Sequence, residues 1–145
     1  MKLRVAWIGK TKEPAYQALT NEYLKRIARY NTIEAQELAN EAAFLKWLEK
    51  SVPKPLLVLL DSRGKQLSSA ELAEFIRDHQ DRGTAQMMFA IGPADGFSAE
   101  AAGAANVKLS IGKMTLAHEL ARVVVLEQIY RAFTILKGHP YHLGH

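Results

Sequence analysis

Side chains suited to moving protons or steadying negative charge gather late in the sequence: His118 and Arg122 four positions apart, then Arg131, then Tyr141 beside His142. An imidazole exchanges a proton near neutrality. A guanidinium steadies charge growing on an oxygen, and a tyrosine ring offers a face to a planar ligand. Each residue also has a plainer use. His118 can fill a helix face or hold a loop carbonyl, while Arg122 and Arg131 stand one helical turn from Glu119 and Glu127, the spacing of intrahelical ion pairs. Tyr130 and Phe133 read as core.

Other chemistries are excluded more firmly. The chain has no cysteine, which removes disulfides, thiolate nucleophiles and sulfur-ligated metals. His139, His142 and His145 recur every third residue, but Pro140 keeps them off a shared helix face, so no metal is expected. Gly9-Lys10-Thr11 is similar to the end of a phosphate-binding loop, yet the glycine required five positions earlier is Arg4. The opening MKLRVAWIGK is too briefly apolar for a secretion signal. No run approaches the roughly 20 apolar residues of a membrane helix. A cytoplasmic protein with no membrane partner is expected. The net charge of +4 favours an anionic partner without identifying it.

The elements that position these residues alternate between strand and helix. Leu3–Ile8, Thr32–Leu38, Leu56–Leu60, Met87–Ile91 and Val107–Leu109 read as strands, and the five unbroken apolar residues of the third suit a strand covered on both faces. Tyr16, Leu19, Tyr23 and Ile27 mark a helix from Pro14 to Tyr30, and Phe44, Leu45 and Leu48 mark one over Glu41–Val52. Ser68 with Glu71 is a capping box opening a helix that runs to about Asp81, and Ser98 caps a short alanine-rich one. Thr115–Leu136 is the longest helix, closed by Gly138 and Pro140. It is apolar on more than one face. In so small a chain a second copy would have to cover the excess, so a homodimer is expected.

This order predicts one α/β domain over residues 1–145, with a mostly parallel sheet and helices on both faces. Ligands of such sheets bind beyond the carboxyl ends of the strands. Here those ends lead into Asp61–Lys65, Gly92–Gly96 and Ser110–Lys113.

The segments LLDSRGKQLSSAELAEF, FAIGPADGFS and LSIGKMTLAHELARVVVLEQIYRAFTILKGHPYH resemble the RlmH (YbeA) family of SPOUT-class methyltransferases, which act on N3 of a pseudouridine in 23S ribosomal RNA. The N-terminal KLRVAWIGKTK and EYLKRI also fit, so the likeness spans nearly the whole chain. It implies an α/β knot, with the C-terminal helix threaded as a trefoil knot beside a homodimer interface. It further implies S-adenosyl-L-methionine as cofactor and 23S rRNA, within the assembled ribosome and not DNA, as partner. Carried over by position, the cofactor would lie against Leu60, Gly92, Ile111, Gly112, Lys113, Met114, Thr115 and Leu116. Backbone groups there would read the adenine edge and aliphatic side chains would enclose it.

Methylation at such a nitrogen needs its proton removed or the resulting charge steadied. His142, with Tyr141 stacking on the target or a neighbouring base, is favoured, and Arg131, as a stabiliser of charge on a base oxygen, and His118 are the further candidates. Two departures stand out. Gly92-Pro93 occupies the place where the family commonly has two adjacent glycines, and the end PYHLGH runs beyond the family's usual stop. Proline fixes φ and removes an amide donor, which leaves a noncatalytic RNA- or ribosome-binding module on the same fold as the alternative. A small-molecule enzyme on this scaffold is a third and weaker one.

Overall fold

The computed structural model describes residues 1–143, and His145 of the histidine series lies outside them. Five strands form one wholly parallel sheet: β1 (Lys2–Ile8), β2 (Ile33–Leu38), β3 (Leu56–Gln66), β4 (Gln86–Ile91) and β5 (Val107–Ser110), in the order β2-β1-β4-β3-β5. The helices are α1 (Pro14–Ala28), α2 (Glu41–Lys50), α3 (Ser69–Asp81), α4 (Ala99–Ala104) and α5 (His118–Lys137). A 3-10 turn, Pro140–His142, follows.

Alternation along the strands sorts the core into two layers. Leu3, Val5, Trp7, Val58, Met87, Phe89 and Ile91 face α1, α3 and α5, meeting Ile27, Leu72, Ile76, Leu126, Ile129 and Phe133. Ala6, Ile8, Leu57, Leu59, Met88 and Ala90 face the other way, against Phe44 and Leu48 of α2. The central strand β4 is buried along its whole length, as expected of a strand covered on both sides.

Local chemistry sets the helix ends. The Ser68–Glu71 capping box forms in both directions, at 3.0 Å into the Ser68 hydroxyl and 2.8 Å into the Glu71 carboxylate. Gly138 closes α5 at φ 69°, where a side chain would be strained.

Two elements differ from the sequence reading. The expected loop Asp61–Lys65 is an interruption inside β3. Leu60 and Lys65 both register with Leu109 of β5, so the residues between them bulge out and pairing then resumes. Gly64 permits this, because a Cβ there would lie 2.6 Å from the Lys108 carbonyl carbon. The long helix begins at His118 rather than Thr115, leaving Ile111–Ala117 as the crossing between β5 and α5.

The reason given for a second copy is also weaker than expected. Within one chain the sheet and the flanking helices α1 and α3 already bury Val123, Val125, Leu126, Ile129, Tyr130 and Phe133. What remains is a half-buried stripe including Val124 and Gln128. It borders a groove of about 290 Å³ between α3 and α5. No helix among the described residues is long and apolar enough to cross a membrane.

Candidate functional site

A cavity of about 440 Å³ opens at the carboxyl end of the sheet. Its walls are the β3 bulge, the β4–α4 loop and the β5–α5 crossing, and Leu60, Gly92, Ile111, Gly112, Met114, Thr115 and Leu116 all line it. Lys113 does not; its side chain is exposed beside the cavity. The volume lies in the range of small-molecule sites.

Each wall is held by its own local bonds. In the bulge, the Asp61 carboxylate accepts from the Arg63 amide at 2.9 Å. That amide, followed by the Arg63 side chain, holds the Asp61 carboxyl below its ordinary range. In the crossing, the Ser110 hydroxyl accepts from the Gly112 amide at 3.2 Å and donates to the Gly112 carbonyl at 2.9 Å. Gly112 itself sits at φ 145°, which favours glycine.

In the β4–α4 loop the Gly92-Pro93 departure proves benign for the backbone. Among the described residues none other than glycine has positive φ, so the turn forms without a glycine at Pro93. The Pro93 carbonyl accepts from the Gly96 amide at 2.9 Å, and Gly96 carries the positive φ of 83°. Gly92 serves by lacking a Cβ, which would stand 3.0 Å from the Phe97 ring.

Of His118, Arg122, Arg131, Tyr141 and His142, His118 alone lines this cavity. Arg122 is fully buried and makes no hydrogen bond to Glu119. Its guanidinium donates to the carbonyls of Ile8 (2.8 Å) and Gly9 (3.1 Å) and to the Thr11 hydroxyl (2.9 Å), lying over the Trp7 ring. Burial lowers its pKa from the ordinary value, and the group acts as a tie between the β1–α1 loop and α5.

Glu119 completes that tie. Its carboxylate accepts from the amides of Lys12 (2.7 Å) and Glu13 (3.2 Å) at the start of α1, a place where negative charge is stabilised. Burial alone would raise the Glu119 pKa. The Glu13 and Lys12 amides, with Arg122 nearby, outweigh it and hold the carboxyl below its ordinary value.

Arg131, Tyr141 and His142 sit away from the cavity of their own chain. Arg131 pairs with Glu127 at 2.9 Å, as its helical spacing suggested, and its guanidinium lies over the Tyr141 ring. Tyr141 meets the Tyr130 ring edge-on, and its hydroxyl is 3.4 Å from that of Tyr23. Burial, then the Tyr23 contact, pushes the Tyr141 phenol above its ordinary value. The Nδ1 of His142 is buried with no hydrogen-bond partner, a costly state for a ring nitrogen. Among the described residues no cluster of His, Cys, Asp and Glu has the make-up of a metal site. Sequence reasoning placed Asp61, Arg63 and Ser110 in the ligand-side loops without singling them out, and did not reach Phe97, which lies just beyond the Gly92–Gly96 loop.

The family model described as "Predicted SPOUT methyltransferase" matches residues 1–142. The chain is 58% identical over its full length to the full length of a Koribacter versatilis protein named ribosomal RNA large subunit methyltransferase H. It is 43% identical to the Trichlorobacter lovleyi protein of the same name, over 98% of this chain and 99% of that one. In fold it is similar to a probable methylase family protein of Haemophilus influenzae. The TM-score there is 0.63 at 12% identity, covering 96% of this chain and 69% of that one.

Proposed function

The chain belongs to the SPOUT methyltransferase family, and from that membership we propose that it transfers the methyl group of S-adenosyl-L-methionine to N3 of a pseudouridine in 23S ribosomal RNA. The observation that carries this reading is the cavity at the strand ends, where the three loops converge and aliphatic side chains such as Leu60, Ile111 and Leu116 stand beside polar ones such as Asp61, Ser110 and His118. Relatives at 58% and 43% identity over essentially their whole length carry the rRNA methyltransferase name. Acceptor chemistry is therefore expected to follow them.

The residues present fit the cofactor. Leu60, Ile111, Met114 and Leu116 supply aliphatic walls, Gly92 and Gly112 bring backbone close, and Asp61 offers a carboxylate to ribose hydroxyls. S-adenosyl-L-methionine, when bound, supplies a methyl group on a positively charged sulfur. The protein's work is to hold the acceptor nitrogen in line and to exclude water. The proton on the acceptor N3 must also go to a base. His118 at the cavity and His142, whose Nδ1 lacks a partner, are the two imidazoles proposed for it. Tyr141 is assigned to stacking, a contact worth about 1–3 kcal/mol per base, and Arg131 to orienting Tyr141.

Because Arg131, Tyr141 and His142 do not line their own chain's cavity, their roles require a homodimer in which one protomer's tail reaches its partner's site. The groove beside Val124 and Gln128 is the proposed contact. The trefoil knot is proposed on family grounds. A cytoplasmic protein acting on the assembled ribosome completes the reading. Calorimetry with S-adenosyl-L-methionine tests it. One saturable site is expected, and no binding by correctly folded protein would end the proposal. The turn closes with Pro93 in place, its carbonyl accepting from the Gly96 amide, which supports the enzyme; a noncatalytic module on the same fold would instead show no binding in this titration.

A further inference from the structure

The β4–α4 loop forms one wall of the cavity, yet what fixes it comes from the opposite layer of the fold. The Glu41 carboxylate, in the first turn of α2, accepts from both the Ser98 amide at 2.7 Å and the Ser98 hydroxyl. Ser98 is the cap of α4. The neighbouring Phe97 lines the cavity, rests against Phe44 one turn further along α2 with ring centroids 5.5 Å apart, and lies over Gly92, where even a Cβ would crowd it. Thus α2 grips the loop twice, by charge from Glu41 to Ser98 and by an aromatic contact from Phe44 to Phe97. Asn40 in turn fixes the start of α2, accepting from the Ala43 amide at 2.8 Å.

We propose that Glu41 is a positioning residue for methyl-donor binding: through Ser98 it seats Phe97 as a fixed wall of the cavity. This rests on the reading that the cavity holds S-adenosyl-L-methionine. A carboxylate gripping both donors of one residue sets the loop's height over the sheet. Without it, Phe97 keeps its ring contacts with Phe44 and Gly92 but loses the bond that fixes the backbone beside it, and the wall can shift into or away from the space beside Gly92. Loss of a supporting contact loosens a site without removing any group that touches the ligand. The effect should therefore fall on binding rather than on the transfer step.

The test uses the full chain, with S-adenosyl-L-methionine as calorimetric probe and ribosomes as acceptor. Glu41→Ala should raise Kd and the KM for the donor about tenfold, with kcat within about twofold. Glu41→Gln, whose amide oxygen still accepts from the Ser98 amide, should recover most of that loss. Thermal melting reports whether Glu41→Ala folds. If it does not, Ser98→Ala, which keeps the Ser98 amide bond to Glu41 but deletes the hydroxyl arm and with it the cap bond to the Ala101 amide, carries the test with an expected threefold rise. A wild-type chain that fails to bind the probe would overturn the cavity assignment itself. Wild-type binding with no change in Kd on breaking the clamp, or kcat falling as much as KM rises, would overturn the role of Glu41 alone.

Discussion

Replacing Arg122 by methionine tests how the fold secures the first turns of α5. The substitution keeps most of the aliphatic stem and deletes a guanidinium that donates to two backbone carbonyls and one hydroxyl. Hydrogen bonds from a charged group contribute about 1.5–3 kcal/mol each, and a buried carbonyl left unpaired costs about 1–3 kcal/mol. Against this, the variant no longer has to bury a charge, which offsets several kcal/mol. The net expectation is a loss of about 2–4 kcal/mol. With a urea dependence of about 2 kcal/mol per molar for a domain of this size, the unfolding midpoint should fall by about 1–2 M. Protein concentration must be held constant, because dimerisation would add to apparent stability. Arg122→Lys should recover little, since one ammonium cannot serve three diverging acceptors. A midpoint shift below about 0.5 M, or a lysine variant as stable as the parent, would refute the assignment of Arg122 as the tie between α5 and the β1–α1 loop.

Glu119 makes the same junction sensitive to acid. Its folded-state pKa lies below the ordinary 4.5, so its contribution is present above that pH and is lost as pH falls through the folded value; Glu119→Gln should flatten the acid limb of Tm against pH, and an unchanged limb would argue against the cap. Gly64→Ala puts a Cβ 2.6–2.8 Å from the Lys108–Leu109 backbone, which cannot swing aside, and should cost about 1–3 kcal/mol or more in a urea melt. Met114 is 86% exposed, so Met114→Ala should leave Tm within about 2 °C while weakening S-adenosyl-L-methionine in calorimetry. Affinity for a 23S rRNA fragment should fall with salt, at a log–log slope of about −0.7 per phosphate contact; a flat titration would remove the electrostatic part of recognition.

The sheet was legible because strand and helix periodicities alternate cleanly and because caps such as Ser68–Glu71 are local chemistry. All three walls of the cavity were legible for the same reason, since each begins where an apolar run meets turn residues. Pairing across long separations was not. The bulge in β3 exists only because Leu109 accepts two registers, and nothing in Asp61-Ser62-Arg63-Gly64 itself distinguishes a bulge from a loop. Glu41 and Ser98 stand 57 positions apart, so no motif joins them. Arg122 was read as either a reacting group or the partner of Glu119. Its true acceptors are main-chain carbonyls more than a hundred residues earlier, invisible to side-chain spacing. Arg131–Glu127 was readable because that pair is a property of one helix.

The central claim is that the cavity at the strand ends passes a methyl group to ribosomal RNA. Incubating the purified chain with S-adenosyl-L-methionine labelled in its methyl group and with ribosomes from cells lacking this protein, then locating the label in digested RNA by mass spectrometry, tests it most directly. The account predicts label on a single pseudouridine of 23S rRNA, lost when Gly112 in the cavity wall is replaced by a bulky residue. Unlabelled RNA with a folded, donor-binding protein, or label confined to free nucleosides, would contradict it.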